Sequence, residues 1–173
     1  MNDDLRRRVL KAILLGGLAA GICDILDPII FWGIRAGVAP IRILHSVASG
    51  WLGRAAFDGG IPIAILGLVT HFFIATSWAT IFVLASLQLP ALRRRPLLWG
   101  PLFGLGVYGV MYYVVLPLSL SATRPSWVPI ILINNLAIHA FGIGLTIALV
   151  ASRVIGPEPV STARRTAAQP AGG

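Results

Sequence analysis

The sequence predicts an all-α fold, a four-helix transmembrane bundle with a short interfacial amphipathic helix between the first and second spans. Three observations predict it. Hydrophobic residues make up 57% of the 173 residues and charged ones 12%, with a mean hydropathy of +0.85, far from the balance of a soluble domain. Residues 61–87 contain no Asp, Glu, Lys or Arg. At about 1.5 Å per residue that run crosses the roughly 30 Å hydrocarbon core of a bilayer. Further apolar runs on either side of it are separated by short segments rich in Gly, Pro or Arg.

The first span is predicted over residues 9–34. Its basic, apolar start imitates a signal peptide, but the apolar pattern continues past Asp24 and Asp27, too long for the core of a cleaved signal. Gly17 and Gly21 form a GxxxG pair that admits a neighbouring helix. Over residues 40–57, Ile41, Leu44, Ala48, Trp51, Leu52 and Ala55 recur at helical spacing, with Arg42, His45, Ser49 and Gly53 on the other side. That pattern is too short and polar to span, so it predicts a helix lying in the interface, with His45 solvated. Residues 98–118 and 127–154 complete the spans, and Gly100 and Gly104 form a second small-residue pair. Residues 156–173 have little to bury and predict a disordered cytoplasmic tail. The whole of residues 1–155 is then a single integral membrane domain.

Four spans place both termini on one side. With the termini inside, ten of the 14 basic residues are cytoplasmic, and Arg35, Arg42, Arg54 and Arg124 are outside. The positive-inside rule therefore predicts cytoplasmic N- and C-termini. The formal charge of +8 flanks apolar spans instead of forming one basic face, which argues against nucleic acid. Arg93, Arg94 and Arg95 read as a topology determinant that contacts lipid headgroups.

Ionisable and polar groups inside spans are costly and mark function or pairing. Counting helical rise from the span edges puts His71 about 15 Å deep and His139 about 18 Å deep from one face, with Asp24 about 20 Å from the other. Tyr112 reaches a similar level. His71 shares its stripe with Gly67, Ala75 and Trp78, and His139 lies one turn from Asn135. Pro28 cannot donate to the carbonyl of Asp24, which leaves a freed acceptor beside the Asp24 and Asp27 carboxylates. Asp24, Asp27, His71, Tyr112, Asn135 and His139 are therefore the candidates for a proton or cation path, with the two histidines facing each other across the bundle. Gly17, Gly21, Gly67, Gly100 and Gly104 are candidates for helix packing alone.

The competing reading is structural. Polar pairs between membrane helices fix register at about 1 kcal/mol each, and the chain is then an accessory subunit packing through its glycine pairs. A third reading has His71 and His139 ligate a b-type haem. The pattern contains no metal or cofactor motif, and no catalytic residue: Gly104, Gly106 and Gly109 satisfy GxGxxG inside a span with no preceding strand, and no Ser-His-Asp order points to an enzyme. The partners expected are the lipid bilayer and either further copies of the chain or a larger membrane complex.

One resemblance adds to this. His71 followed by Pro90, then Trp99-Gly100 and Gly104, Pro117-Leu118, and His139 followed by Arg153 resemble the uncharacterised small inner-membrane proteins of bacteria, loosely the YagU-like ones. The resemblance spans residues 61–153 and implies a four-helix bacterial membrane protein of unassigned activity.

Overall fold

Glycine and alanine, spaced one turn apart, decide where the helices of this chain meet. In a computed structural model that describes residues 3–121 and 123–156, four helices are long and apolar enough to cross a membrane: α1 (Asp3–Ala36), α3 (Gly60–Gln88), α4 (Pro96–Leu118) and α5 (Pro129–Ile155). A shorter helix, α2 (Pro40–Leu52), lies between α1 and α3. No strand occurs among the described residues. The fold is the all-α four-helix bundle of a polytopic membrane protein. Of the tail expected over residues 156–173, all but Gly156 lies outside the described residues.

The ends have local causes. Asp3 and Asp4 occupy the first turn of α1, where carboxylates complement the helix dipole, and Asp4 pairs with Arg8 at 3.0 Å. The helix therefore begins before the apolar run does. It ends at Gly37, whose φ of 64° allows its N–H to reach Gly33 O and that of Val38 to reach Trp32 O. α5 opens at Pro129, two residues later than the apolar pattern suggests, because a residue preceding proline is pushed out of the helical region. Val128 is accordingly extended at ψ 119°. Within α4, residues Met111–Val115 form a π-helical turn, and within α5 residues Ile138–Leu145 form another.

The helices surround a core built from small side chains. A Cβ at Gly17 would lie 2.7 Å from Thr76 Cα, and one at Gly21 would lie 2.7 Å from the Phe72 ring, so α1 rests directly on α3. On the other side of the bundle, a Cβ at Gly104 would collide with the His139 carbonyl oxygen, and one at Gly144 with the carbonyl oxygen of Gly100. There α4 and α5 touch backbone to backbone. A core of Val9, Ala12, Ala79, Phe82, Ile147, Ala151 and Ile155, among others, fills the half of the bundle nearer the described termini. Phe103 closes it between α3 and α4, with ring centroids 5.0 Å from Phe82 and 6.0 Å from Trp78. Leu10, Leu14, Leu18, Ile65, Val69, Leu102 and Ile133 are among the large apolar residues left on the outside, where lipid solvates them.

α2 occupies the place of the short amphipathic helix expected between the first two spans, but its polar side faces the bundle. Its buried residues are His45, Ala48 and Ser49, whereas Trp51 and Leu52 stand exposed. A Cβ at Gly67 of α3 would strike the Leu44 carbonyl oxygen, so the helix is docked against the bundle. His45 is buried, not solvated, and its Nε2–H donates to Gly60 O at 2.8 Å. The reason is the solvent. Lipid accepts Leu52 without cost, while His45 and Ser49 find hydrogen-bond partners only inside the protein.

Arg93 also differs from the headgroup contact expected. It is buried, with Nε donating to Ser86 O at 3.0 Å and a terminal nitrogen donating to Gly156 O at 2.8 Å. It thereby ties the C-terminal ends of α3 and α5, whose last carbonyls have no partner within the helix.

Candidate functional site

Beyond the glycine contacts the bundle opens into a cavity of about 760 Å³, walled by α1 to α5 and the segment after α4. Asp24, Asp27, His71, Tyr112, Asn135 and His139 all lie on its wall. The packing candidates lie elsewhere: Gly17 and Gly21 are pressed against α3, Gly67 against α2, and Gly100 and Gly104 against α5.

Each ionisable group is placed by its helix. Gly21 and Asp24 present themselves to α3 from adjacent turns of α1, and His71 meets both. Its Nε2 lies 2.8 Å from Gly21 O and its Nδ1 lies 3.9 Å from Asp24 Oδ2. A carbonyl can only accept, so the proton sits on Nε2 and Nδ1 of the neutral ring is a bare base facing Asp24. His139 is held in the opposite tautomer. Its Nδ1 lies 2.8 Å from Asn135 O, one turn back along α5 and just before the π-helical segment, which leaves Nε2 as the bare base. Asp24 is within electrostatic range of His139 and Tyr112 as well. Asp27 differs, because Asn134 Nδ2 donates to its Oδ2 at 2.8 Å and fixes it to α5.

The rings of His71 and His139 do not stack on one another. His71 packs edge-on against Phe72, with centroids 5.4 Å apart, and His139 against Tyr108 and Tyr112 at 5.4 and 6.0 Å. They share the cavity with the Asp24 carboxylate as their common neighbour. This geometry does not suit haem: His71 Nε2 is already engaged by Gly21, and its remaining nitrogen faces a carboxylate. Among the described residues, no three His, Cys, Asp or Glu side chains converge closely enough to hold a metal ion.

Other wall residues were not among the candidates for the proton or cation path. Trp32 of α1, Trp51 of α2 and Trp78 of α3 line the cavity, and Trp51 Nε1–H donates to Thr70 Oγ1 at 3.1 Å. Trp78 lies two turns from His71, so its helical face was legible. Trp51 was not, because the amphipathic pattern assigns it to the apolar side of α2. Asn134, the partner of Asp27, is next to the candidate Asn135 but on a different face. No Lys or Arg lies on the cavity wall among the described residues. The segment after α4 meets α2 through Leu120 N–H to Gly50 O at 3.0 Å and Ser49 Oγ–H to Ser121 Oγ at 3.3 Å.

Fold and site together define a polytopic helical membrane protein with an acid- and histidine-lined internal cavity. No protein-family model, curated protein or solved structure matches the chain.

Proposed function

We propose that the chain handles protons or cations in the bacterial cytoplasmic membrane, as a non-enzymatic protein with both termini cytoplasmic and the cavity on the outer side. The kinship with YagU-like proteins belongs to the same proposal. One observation carries it: Asp24 shares a single cavity with two histidines, each held in the tautomer that leaves one basic nitrogen bare. Asp24 and the bare imidazole nitrogens can each take up and release a proton, which is what intramembrane carboxylates and histidines supply to proton paths. The accessory-subunit alternative relied on the glycine pairs as docking faces, yet those glycines are buried against α3 and α5 of the same chain.

The test is reconstitution into liposomes that contain a pH-sensitive dye, followed by an imposed membrane potential. Wild-type protein is expected to acidify or alkalinise the lumen with the sign of the potential, and Asp24→Asn to abolish it, since a neutral amide cannot exchange a proton. Equal flux in both proteins would overturn the reading.

A further inference from the structure

The cavity is far larger than a proton or an inorganic ion requires. At about 760 Å³ it falls in the range of sites that enclose drug-sized molecules. Its wall is mainly apolar, with Trp32, Trp51 and Trp78 contributed by three different helices. Its charge is of one sign. Asp24 and Asp27 supply two carboxylates, and no Lys or Arg answers them from the wall among the described residues. Asp27 has Asn134 as a hydrogen-bond partner, whereas Asp24 has only the long 3.9 Å approach to His71 Nδ1. His139 is 92% buried by its 8% exposure, and its ring presents an unpartnered Nε2 on the same wall. A carboxylate in such a place needs a counter-charge or a proton.

We propose that this cavity takes a lipophilic organic cation, an amine or onium ion of drug-like size. Asp24 is its counter-charge and the indoles of Trp32, Trp51 and Trp78 are its apolar, electron-rich walls. Indole faces attract cations and pack apolar substituents at once, so they select for charge and hydrophobicity together. An anion would meet two carboxylates and a neutral molecule would leave Asp24 unsatisfied. This inference rests on the proton- or cation-handling reading and names the substrate class of the same site.

Binding and protonation then compete at Asp24. A protonated Asp24 has no charge to offer a cation. When the cation enters, the proton leaves for bulk water and a carboxylate–cation pair remains, so charge is conserved. The groups that face Asp24 are Asp27 on α1, His71 on α3, Tyr112 on α4 and His139 on α5, and α2 adds no titratable group to the wall. Each of these either neutral or acidic groups favours the cation once Asp24 is ionised. Affinity is therefore expected to rise with pH.

The experiment titrates the purified full-length chain in mild detergent with tetraphenylphosphonium, read by tryptophan quenching and by proton release in weak buffer. Neutral triphenylphosphine oxide is the control. Saturable binding with proton release is expected, weakened roughly tenfold or more in Asp24→Asn by loss of the buried charge pair. Trp51→Ala, at an exposed position that folding tolerates, should weaken it a few-fold, about the worth of one cation–π contact. Equal binding of the neutral control, or affinity unchanged in both variants, overturns the proposal. If tetraphenylphosphonium does not bind while Asp24-dependent proton flux persists in liposomes, this inference fails and proton handling stands. Loss of both signals removes both.

Discussion

The two halves of this bundle use the same helices in opposite ways. In the half nearer the described termini, Gly17, Gly21, Gly100, Gly104 and Gly144 bring backbones into contact, and small or aliphatic side chains fill what remains. In the other half the same helices diverge. One turn past Gly104 stands Tyr108, followed by the π-helical turn Met111–Val115, and the second π-helical segment of α5 begins just before His139. Side-chain size thus acts as a spacer: where Cβ atoms are missing the helices meet, and the cavity opens beside the bulkier Trp32, Trp78 and Tyr112. π-helical turns are rare and gather at functional positions, and here both lie against the cavity. α2 covers that half instead of a further apolar layer. The comparison shows how a chain of this size keeps a polar hollow: rigidity is concentrated at the backbone contacts, which leaves the other half free to be open.

The comparison can be broken most severely at its fulcrum. Gly104→Leu places a side chain where the His139 carbonyl now sits, so α4 and α5 must separate. Overpacking of this kind costs about 3 kcal/mol or more. Loss of a monodisperse, thermally cooperative protein in detergent is the expected result, and a melting profile like wild type would show that the contact is not needed. Next in size is Arg93→Ala, which leaves the Ser86 and Gly156 carbonyls without their charged donor. A loss of about 2 kcal/mol is expected, since hydrogen bonds from charged groups are worth roughly 1.5–3 kcal/mol. Thermal unfolding measures it, and Arg93→Lys should restore only part because it cannot span both acceptors in one plane. Both substitutions damage the packed half and should lower stability first.

Asn134→Ala acts in the hollow half and is milder. It removes the hydrogen bond that ties Asp27 to α5, worth about 1 kcal/mol in a membrane interior. Stability should fall only slightly, while cation affinity in the titration above should rise because Asp27 is released to the cavity. Smallest of all is Ser49→Ala, which loses a 3.3 Å contact between α2 and the segment after α4 and a local bond to Ser46 O within α2. Its effect on melting is expected to be within about 0.5 kcal/mol, as for a weak neutral hydrogen bond.

The halves also differ in how far the amino-acid sequence discloses them. The spans and the glycine contacts were legible because membrane length and the absence of a Cβ have direct consequences, and Gly17, Gly21, Gly100 and Gly104 all lie at helix crossings. The six polar candidates were brought to one wall for a related reason: hydrocarbon leaves Asp24, His71 and His139 only the interior. The π-helical turns were not legible, since a one-residue shift in hydrogen bonding leaves no mark in composition. Nor was the orientation of α2, because amphipathic patterns are usually read with water in mind, and here lipid takes the apolar side. Arg93 was hidden by its two neighbours: three successive arginines look alike until the chain folds and the C-terminal carbonyls of α3 and α5 select one of them.

The central claim is that one half is packed and the other is a water-accessible hollow, and α3 passes through both. Ile74 lies on the cavity wall and Val83 is fully buried in the packed core. The decisive measurement replaces the native Cys23, which is exposed, by serine and introduces a single cysteine at 74 or at 83. A small cationic thiosulfonate that cannot cross the bilayer is then added to sealed membranes. Rapid labelling at 74, slowed by tetraphenylphosphonium, with none at 83, is the predicted result. Equal protection of both positions would contradict the account.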